Sequence, residues 1–212
     1  MSPAHPFIAR EGWVHIALSL VAALVITLSA GWLWALPLWL IVLFVVQFFR
    51  DPQRVSPQEP GQILSPADGK VVFVGPAKDP YLDRPALKIS VFMNVFSVHS
   101  NRSPAAGEVR KVWYTAGKFV NAALDKASEQ NERNAIWLRS GDHDIVFVQV
   151  AGLIARRILC YVEEGDQLDK GQRYGFIRFG SRVDVYLPEG SDPRVALGDT
   201  ATAGLTVVAI EE

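Results

Sequence analysis

The sequence predicts a mostly β domain of barrel or sandwich type, with one or two helices, preceded by an α-helical membrane hairpin. Three observations predict it. A long apolar stretch at the N-terminus carries almost no charge. The remainder breaks into short β-type runs punctuated by Gly and Pro, and a Gly-Asp-x4-Gly pattern occurs twice near the C-terminus.

The apolar stretch comes first in the chain. From Gly12 to Phe49 there is no Asp, Glu, Lys or Arg, and the only ionisable side chain is His15. As one helix rising ~1.5 Å per residue it would reach ~57 Å, about twice the ~30 Å hydrocarbon core of a bilayer. Two passes fit, with a reversal near Ser29-Ala30-Gly31 or at Ala35-Leu36-Pro37. Arg10 precedes the stretch, Arg50 and Arg54 follow it, and neither turn is charged. The positive-inside rule therefore puts both ends, and the folded domain, on the cytoplasmic side of the cell membrane. Trp13, Trp32, Trp34 and Trp39 are candidates for the two interfaces. A re-entrant or surface-lying hairpin is the nearest alternative. A secretory signal peptide fits worse, because the stretch is too long and no small-x-small cleavage site is evident before Arg50.

"RDPQRVSPQEPG" then reads as a Pro-rich linker. The chain divides into an anchoring hairpin at 1–50, a linker at 51–62 and a folded domain at 63–212. Within that domain "GKVVFVG", "ALKISVFMNVFSVHS", "DIVFVQVAG", "RRILCYV", "YGFIRFG", "RVDVYLP" and "GLTVVAI" read as strands. "KFVNAALDKASEQN" reads as a helix, with Phe119, Ala122 and Ala123 at helical spacing. "GDQLDKG" at 165–171 and "GDTATAG" at 198–204 each lead into a strand, a turn pattern that resembles lipoyl- and biotinyl-type β-sandwich domains. The lysine that those domains modify is not evident here, so the likeness implies a shared fold rather than shared chemistry.

Charge and composition exclude several classes. The formal net charge is −1, with Arg10 and Arg50 against Glu11 in residues 1–50, which leaves −2 for the remainder. That is no electrostatic footprint for nucleic acid. The single Cys160 excludes an internal disulfide, fits a reducing compartment, and reads as a buried structural thiol within an apolar run. There is no C-x-x-C and no H-E-x-x-H, and the four histidines lack ligand spacing, so no metal is expected. Gly117-Lys118-Phe119 lacks the Ser or Thr of a phosphate loop.

Three polar spots interrupt the apolar pattern. "SPADGKV" puts Asp68 in a turn that leads into a strand, and "NVFSVHSNRSP" puts His99 at the end of a long apolar strand. "RFGSRV" puts Ser181 between two β-type runs, joined by a Gly180-Ser181 pair without the Asn, Asp or Pro of a good hairpin turn. Each has a plain structural explanation as turn former, core histidine or strand-edge residue. Together, an Asp, a His and a Ser at strand ends could assemble a base-activated hydroxyl.

"SPADGKV", "FMNVFSVHSNRSPAAGEV", "NERN", "GLIARRI" and "RFGSRVDVYLP", in that order, resemble the phosphatidylserine decarboxylase proenzymes of the short prokaryotic type, over roughly residues 50 to 212. The resemblance implies self-cleavage between Gly180 and Ser181 into chains 1–180 and 181–212, which stay associated. Ser181 would become a covalent pyruvoyl group, with no other cofactor and no metal. His99, oriented by Asp68, would take the Ser181 proton, and would later donate the proton that replaces CO2. The pyruvoyl carbonyl would form a Schiff base with the amine of phosphatidylserine and act as electron sink, giving phosphatidylethanolamine. Implied partners are phosphatidylserine and the membrane, with self-association into a homo-oligomer left open. Arg102 is a candidate for the lipid phosphate, set against a plain surface role. Longer family members carry Leu-Gly-Ser-Thr at the cut, whereas this chain has Phe179-Gly180-Ser181-Arg182. They also have two histidines before their Pro-x-x-Gly, whereas here only His99 precedes Pro104-Ala105-Ala106-Gly107, and Arg102 falls where the second would stand. Two other readings use the same residues: a membrane-bound serine hydrolase without self-cleavage, and a non-enzymatic lipoyl-like binding domain. "GSR" lacks the G-x-S-x-G elbow of the first, and the lysine context of the second is missing.

Overall fold

The structure, a computed structural model, describes residues 5–117, 122, 131–152, 157–178 and 181–211. The chain forms two compact units, Pro3–Gln53 and Arg54–Glu212.

In the first unit a 3-10 turn at Arg10–Gly12 leads into α1 (Trp13–Ala30), and Gly31 separates it from α2 (Trp32–Phe48). Gly31 has φ of +91°, a backbone state that Gly adopts without steric cost, and this puts the reversal at the first of the two expected places. Pro37 lies inside α2 instead. Trp39 Nε1 donates to Thr27 Oγ1 at 3.2 Å across the pair. The ends close on one another, with the Ala9 N–H donating to the Phe49 carbonyl at 2.8 Å and the Asp51 N–H to the Phe7 carbonyl at 2.6 Å. By length and composition the segment containing α1 suffices to cross a membrane, and α2 is a shorter apolar helix of 17 residues. Val14, Leu18, Leu28 and Trp34 lie exposed along the two helices.

The second unit is built of antiparallel strands: β1 (Gln62–Leu64), β2 (Gly69–Asp79), β3 (Arg84–Met93), β4 (Ser100–Arg102), β5 (Gly107–Thr115), β6 (Arg133–Ser140), β7 (His143–Ala151), β8 (Ile158–Cys160), β9 (Gln167–Leu168), β10 (Arg173–Ile177), β11 (Ser181–Pro188), β12 (Asp192–Pro193), β13 (Thr200–Ala201) and β14 (Val207–Ile210). The main sheet runs β13-β2-β3-β11-β7-β6-β5-β9, with smaller sheets β4-β10-β8 and β1-β14-β12. One face of the main sheet carries the core, including Val71, Ile89, Val91, Ile136, Phe147, Val183 and Val185. Side chains alternate along β11, so Arg182, Asp184 and Tyr186 leave that face, and Tyr186 joins a second cluster with Ala135, Val146 and Val148. Arg182 and Asp184 pair at 2.8 Å, both about 1% exposed, with Lys88 Nζ 3.4 Å from the same carboxylate.

Several expectations need correction. The long strand expected to carry His99 stops at Met93. Asn94 Oδ1 accepts the Phe96 N–H at 2.8 Å, and the Asn94 carbonyl accepts the Ser97 N–H at 3.0 Å, an Asn-built turn that ends the run. The strand expected at "RRILCYV" is only Ile158–Cys160 among the described residues, and "GLTVVAI" contributes only Val207–Ile210. Cys160 is half-buried rather than buried, its thiol donating to the Val162 carbonyl at 3.4 Å. β5 and β6 form in sequence that had not read as strand. The helix expected at 118–131 lies, apart from Ala122 and Asn131, outside the described residues.

The unit also contains a repeat larger than the paired Gly-Asp turns. Ser65-Pro-Ala-Asp-Gly-Lys-Val71 and Ser103-Pro-Ala-Ala-Gly-Glu-Val109 share S-P-A-x-G-x-V, and each is clasped in the same way by one Gly-Asp-x4-Gly turn. The Ser65 carbonyl accepts from the Gly204 N–H at 2.8 Å, and the Ser103 carbonyl from the Gly171 N–H at 2.9 Å. Val71 exchanges backbone bonds with Asp199 and Gly198, as Val109 does with Asp166 and Gly165. The copies also hold one another, with the Leu64 N–H donating to the Pro104 carbonyl and the Arg102 N–H to the Pro66 carbonyl. The two short clasp strands, β13 and β9, form the two edges of the main sheet.

Candidate active site

Ser181 opens β11, which lies inside the main sheet with a neighbour on each side. Its register partners are Met93, the last residue of β3, and Ala151, the last residue of β7. It is fully buried, and its Oγ lies 4.0 Å from the Met93 Sδ. The sheet end formed there is shared with β2, because Gly69 packs so closely on β3 that a Cβ would sit 1.9 Å from the Phe92 carbonyl oxygen. Asp68 precedes that glycine. Gly180 lies outside the described residues.

His99 follows the Asn94 turn and precedes β4. Its carbonyl accepts the Ile177 N–H at 3.2 Å, which ties it to the segment just before Ser181, and its ring centroid is 6.3 Å from that of Phe176. Nδ1 lies 2.9 Å from the Ser97 carbonyl. A carbonyl only accepts, so Nδ1 carries the proton of the neutral ring and Nε2 is the basic nitrogen.

Asp68 takes partners other than the expected one. Arg54 Nη1 and Nη2 donate to its two oxygens at 2.5 and 2.8 Å, and the Ala203 N–H donates to Oδ1 at 2.7 Å. The Ser97 carbonyl is one partner of the His99 ring. The repeat shows that the turn does not require this carboxylate, since Ala106 stands at the equivalent place in the second copy. Arg102, the candidate for the lipid phosphate, is buried rather than at the surface. It is 4% exposed, replaces Leu64 in the repeat, and sends Nη1 to the Gly171 carbonyl at 3.3 Å.

Sequence reasoning missed a set of buried amides on the core face beside Ser181. Asn134 Nδ2 donates to Gln149 Oε1 at 3.1 Å, and Gln149 Nε2 donates to Asn101 Oδ1 at 2.9 Å. Asn131 Nδ2 holds the Ala151 carbonyl at 2.7 Å. The "NERN" motif carried part of this signal, as its two asparagines are these side chains. Among the described residues no three His, Cys, Asp or Glu side chains gather as a metal site.

A serine at the head of a central strand, with buried amides on the core face of the same sheet, is the arrangement to set beside known proteins. Residues 41–209 match the phosphatidylserine decarboxylase family. A phosphatidylserine decarboxylase proenzyme of Aromatoleum aromaticum is 66% identical over 206 residues, covering 97% of this chain and 96% of the relative. The proenzyme of the same name from Nitrosomonas europaea is 61% identical, covering 97% of this chain and 95% of the relative. That of Cupriavidus pinatubonensis is 59% identical, covering 99% and 97%. The chain belongs to the phosphatidylserine decarboxylase family.

Proposed function

We propose that this protein converts phosphatidylserine to phosphatidylethanolamine and CO2, using a pyruvoyl group that it makes by cutting itself between Gly180 and Ser181. The position of Ser181 carries the reading. It heads the central strand and is held in register by Met93 and Ala151, with a glycine before it and His99 bonded to the segment just upstream.

In the first step the Ser181 Oγ bonds to the Gly180 carbonyl carbon and the Gly180–Ser181 amide bond breaks. The hydroxyl proton passes to His99 Nε2 and on to the departing Ser181 nitrogen, leaving an ester. Loss of the Ser181 Cα proton expels the Gly180 carboxylate, and water then replaces the nitrogen, released as ammonia. Strand pairing supplies the reacting geometry, since little freedom remains to be lost at Ser181. The surroundings fit the group that results. A keto group at the head of β11 would lie beside buried amide donors, shielded from bulk water. There it supplies an electron sink for a substrate that bears an amine next to a carboxylate. His99 holds the proton that takes the place of CO2. Asp68, fixed by Arg54, places a carboxylate at the same sheet end.

Residues 1–50 act as a membrane hairpin with both ends cytoplasmic, bringing the catalytic unit to the leaflet that holds its lipid. Reporter fusions at residues 5 and 55 should both read cytoplasm, and opposite sides would defeat the hairpin. The mass of the purified protein tests the chemistry. Pieces 1–180 and 181–212 are expected, the second with a blocked, carbonyl-bearing start that reacts with hydroxylamine. Ser181→Ala should stay whole and lack decarboxylase activity. An intact wild-type chain that decarboxylates would overturn the pyruvoyl route, and an intact chain that hydrolyses esters would favour a serine hydrolase.

A further inference from the structure

Among the buried amides the direction of donation is what matters. Asn134 gives a hydrogen to Gln149, and Gln149 gives one to Asn101, so Asn101 Oδ1 is occupied as an acceptor. This fixes which end of the Asn101 side chain is which and turns Nδ2 away from Gln149. All three side chains are buried, at 0–3% exposure. Gly175 makes room for the relay, since a Cβ there would meet Gln149 Nε2 at 2.6 Å.

Among the described residues Nδ2 has nothing strong to donate to, its partner being the Met93 Sδ at 3.9 Å. The Ser181 hydroxyl meets the same sulfur at 4.0 Å. A thioether is a weak acceptor, and a buried donor so poorly served calls for an explanation. Two hydrogen-bond donors, one the nucleophile, thus converge on one flexible side chain that can swing aside.

We propose that Asn101 Nδ2 donates to the oxygen that becomes negative when Ser181 attacks, with Gln149 and Asn134 as positioning residues behind it. The inference rests on the self-cleavage reading. As the Oγ–carbon bond forms and the carbonyl π pair moves to the Gly180 oxygen, Asn101 Nδ2, buried and turned away from Gln149, donates to the charge that develops there. When the amide bond breaks, the pair returns to the carbonyl and the donor is released. A donor preset in this way needs no reorganisation, and losing one typically costs about 10²–10³ in rate.

Full-length chain made in a cell-free system with phospholipid vesicles, and followed on gels, tests this. Asn101→Ala and the nearly isosteric Asn101→Asp should both slow the conversion of whole chain to two pieces by about 10²–10³. Gln149→Glu removes the hydrogen that orients Asn101 and should slow it by about tenfold, a milder loss because the amide itself is kept. Hydroxylamine, which cuts an accumulated ester, should not release the 181–212 piece from Asn101→Ala, because the ester does not form. Near-wild-type cutting by Asn101→Asp would overturn the proposal, as would hydroxylamine-sensitive ester in Asn101→Ala. Should Asn101→Ala fail to fold, Asn101→Asp and Gln149→Glu decide alone. A wild-type chain that stays whole would instead overturn the self-cleavage reading, whatever the Asn101 variants do.

Discussion

Tyr174 shows how a single buried polar atom behaves when the fold has no use for it. Its ring packs edge-on against Phe147 at 4.7 Å between centroids, and its hydroxyl has no hydrogen-bond partner among the described residues. Burial holds the phenol well above the ordinary tyrosine range. A hydroxyl that is desolvated and unbonded contributes nothing favourable, so Tyr174→Phe should melt within about 1 kcal/mol of the parent or above it. The pH dependence has a definite sign. The unfolded phenol loses its proton near pH ~10 and the folded one later, so stability is full below that point and falls as pH rises beyond it. Tyr81 and Tyr186, also raised by burial, act in the same direction. Tyr174→Phe should therefore remove a share of the alkaline loss, and melting curves of both proteins from pH 8 to 11 would show it. Equal alkaline losses would contradict this account.

At the scale of elements, the close approach of β2 to β3 sets the end of the sheet that presents Ser181. Gly69→Ala drives a methyl into the Phe92 carbonyl, and the repeat gives Gly107 the same problem against the Arg139 carbonyl at 2.3 Å. Each substitution should cost about 3 kcal/mol, a fall of roughly 6–12 °C in melting temperature, measured in a Ser181→Ala background so that one intact chain melts. Unchanged melting would mean that the strands part without cost. The same elements show what a sequence reveals. The helix pair was legible because absence of charge over so long a stretch needs no periodicity to be read. β2, β3, β7 and β11 were legible as β-branched and aromatic runs. β5 and β6 were not, because Glu108, Arg110, Lys111, Arg133 and Arg139 interrupt them on faces that are not fully buried. Ser181 and His99 stood out by local motif, whereas the amide relay joins residues 48 and 15 positions apart and has no local signature. Asp68 was visible, but its pairing with Arg54 was not, since nothing local marks that arginine as other than a flanking charge.

For the molecule as a whole, the repeat supplies a frame that would hold a small β unit together if, as proposed, it is cut at the head of its middle strand. Two S-P-A-x-G-x-V copies hold each other, and their clasps cap both edges of the sheet with strands of two residues. Edges so short leave little for another chain to pair with. The copies differ in chemistry. Asp68 stands against Ala106, and Arg102 against Leu64.

The interior position of β11 also bears on the history of the molecule. Its register with β3 runs from Ser181 to Pro188 and that with β7 from Ser181 to Tyr186. On the proposed route those pairings form while the strand is still joined to the rest of the chain, which keeps its effective concentration high. The proposed cut at Ser181 would delete the tether but not the pairings, and the mature enzyme would keep an arrangement whose assembly instructions it had discarded. Unfolded in guanidinium and diluted, intact Ser181→Ala should regain its sheet at a rate independent of protein concentration. The cut wild type must find its partner piece in solution, and its recovery should rise with concentration and fail when dilute. Equal recovery of the two at nanomolar dilution would show that the larger piece folds around an empty slot and waits for its strand.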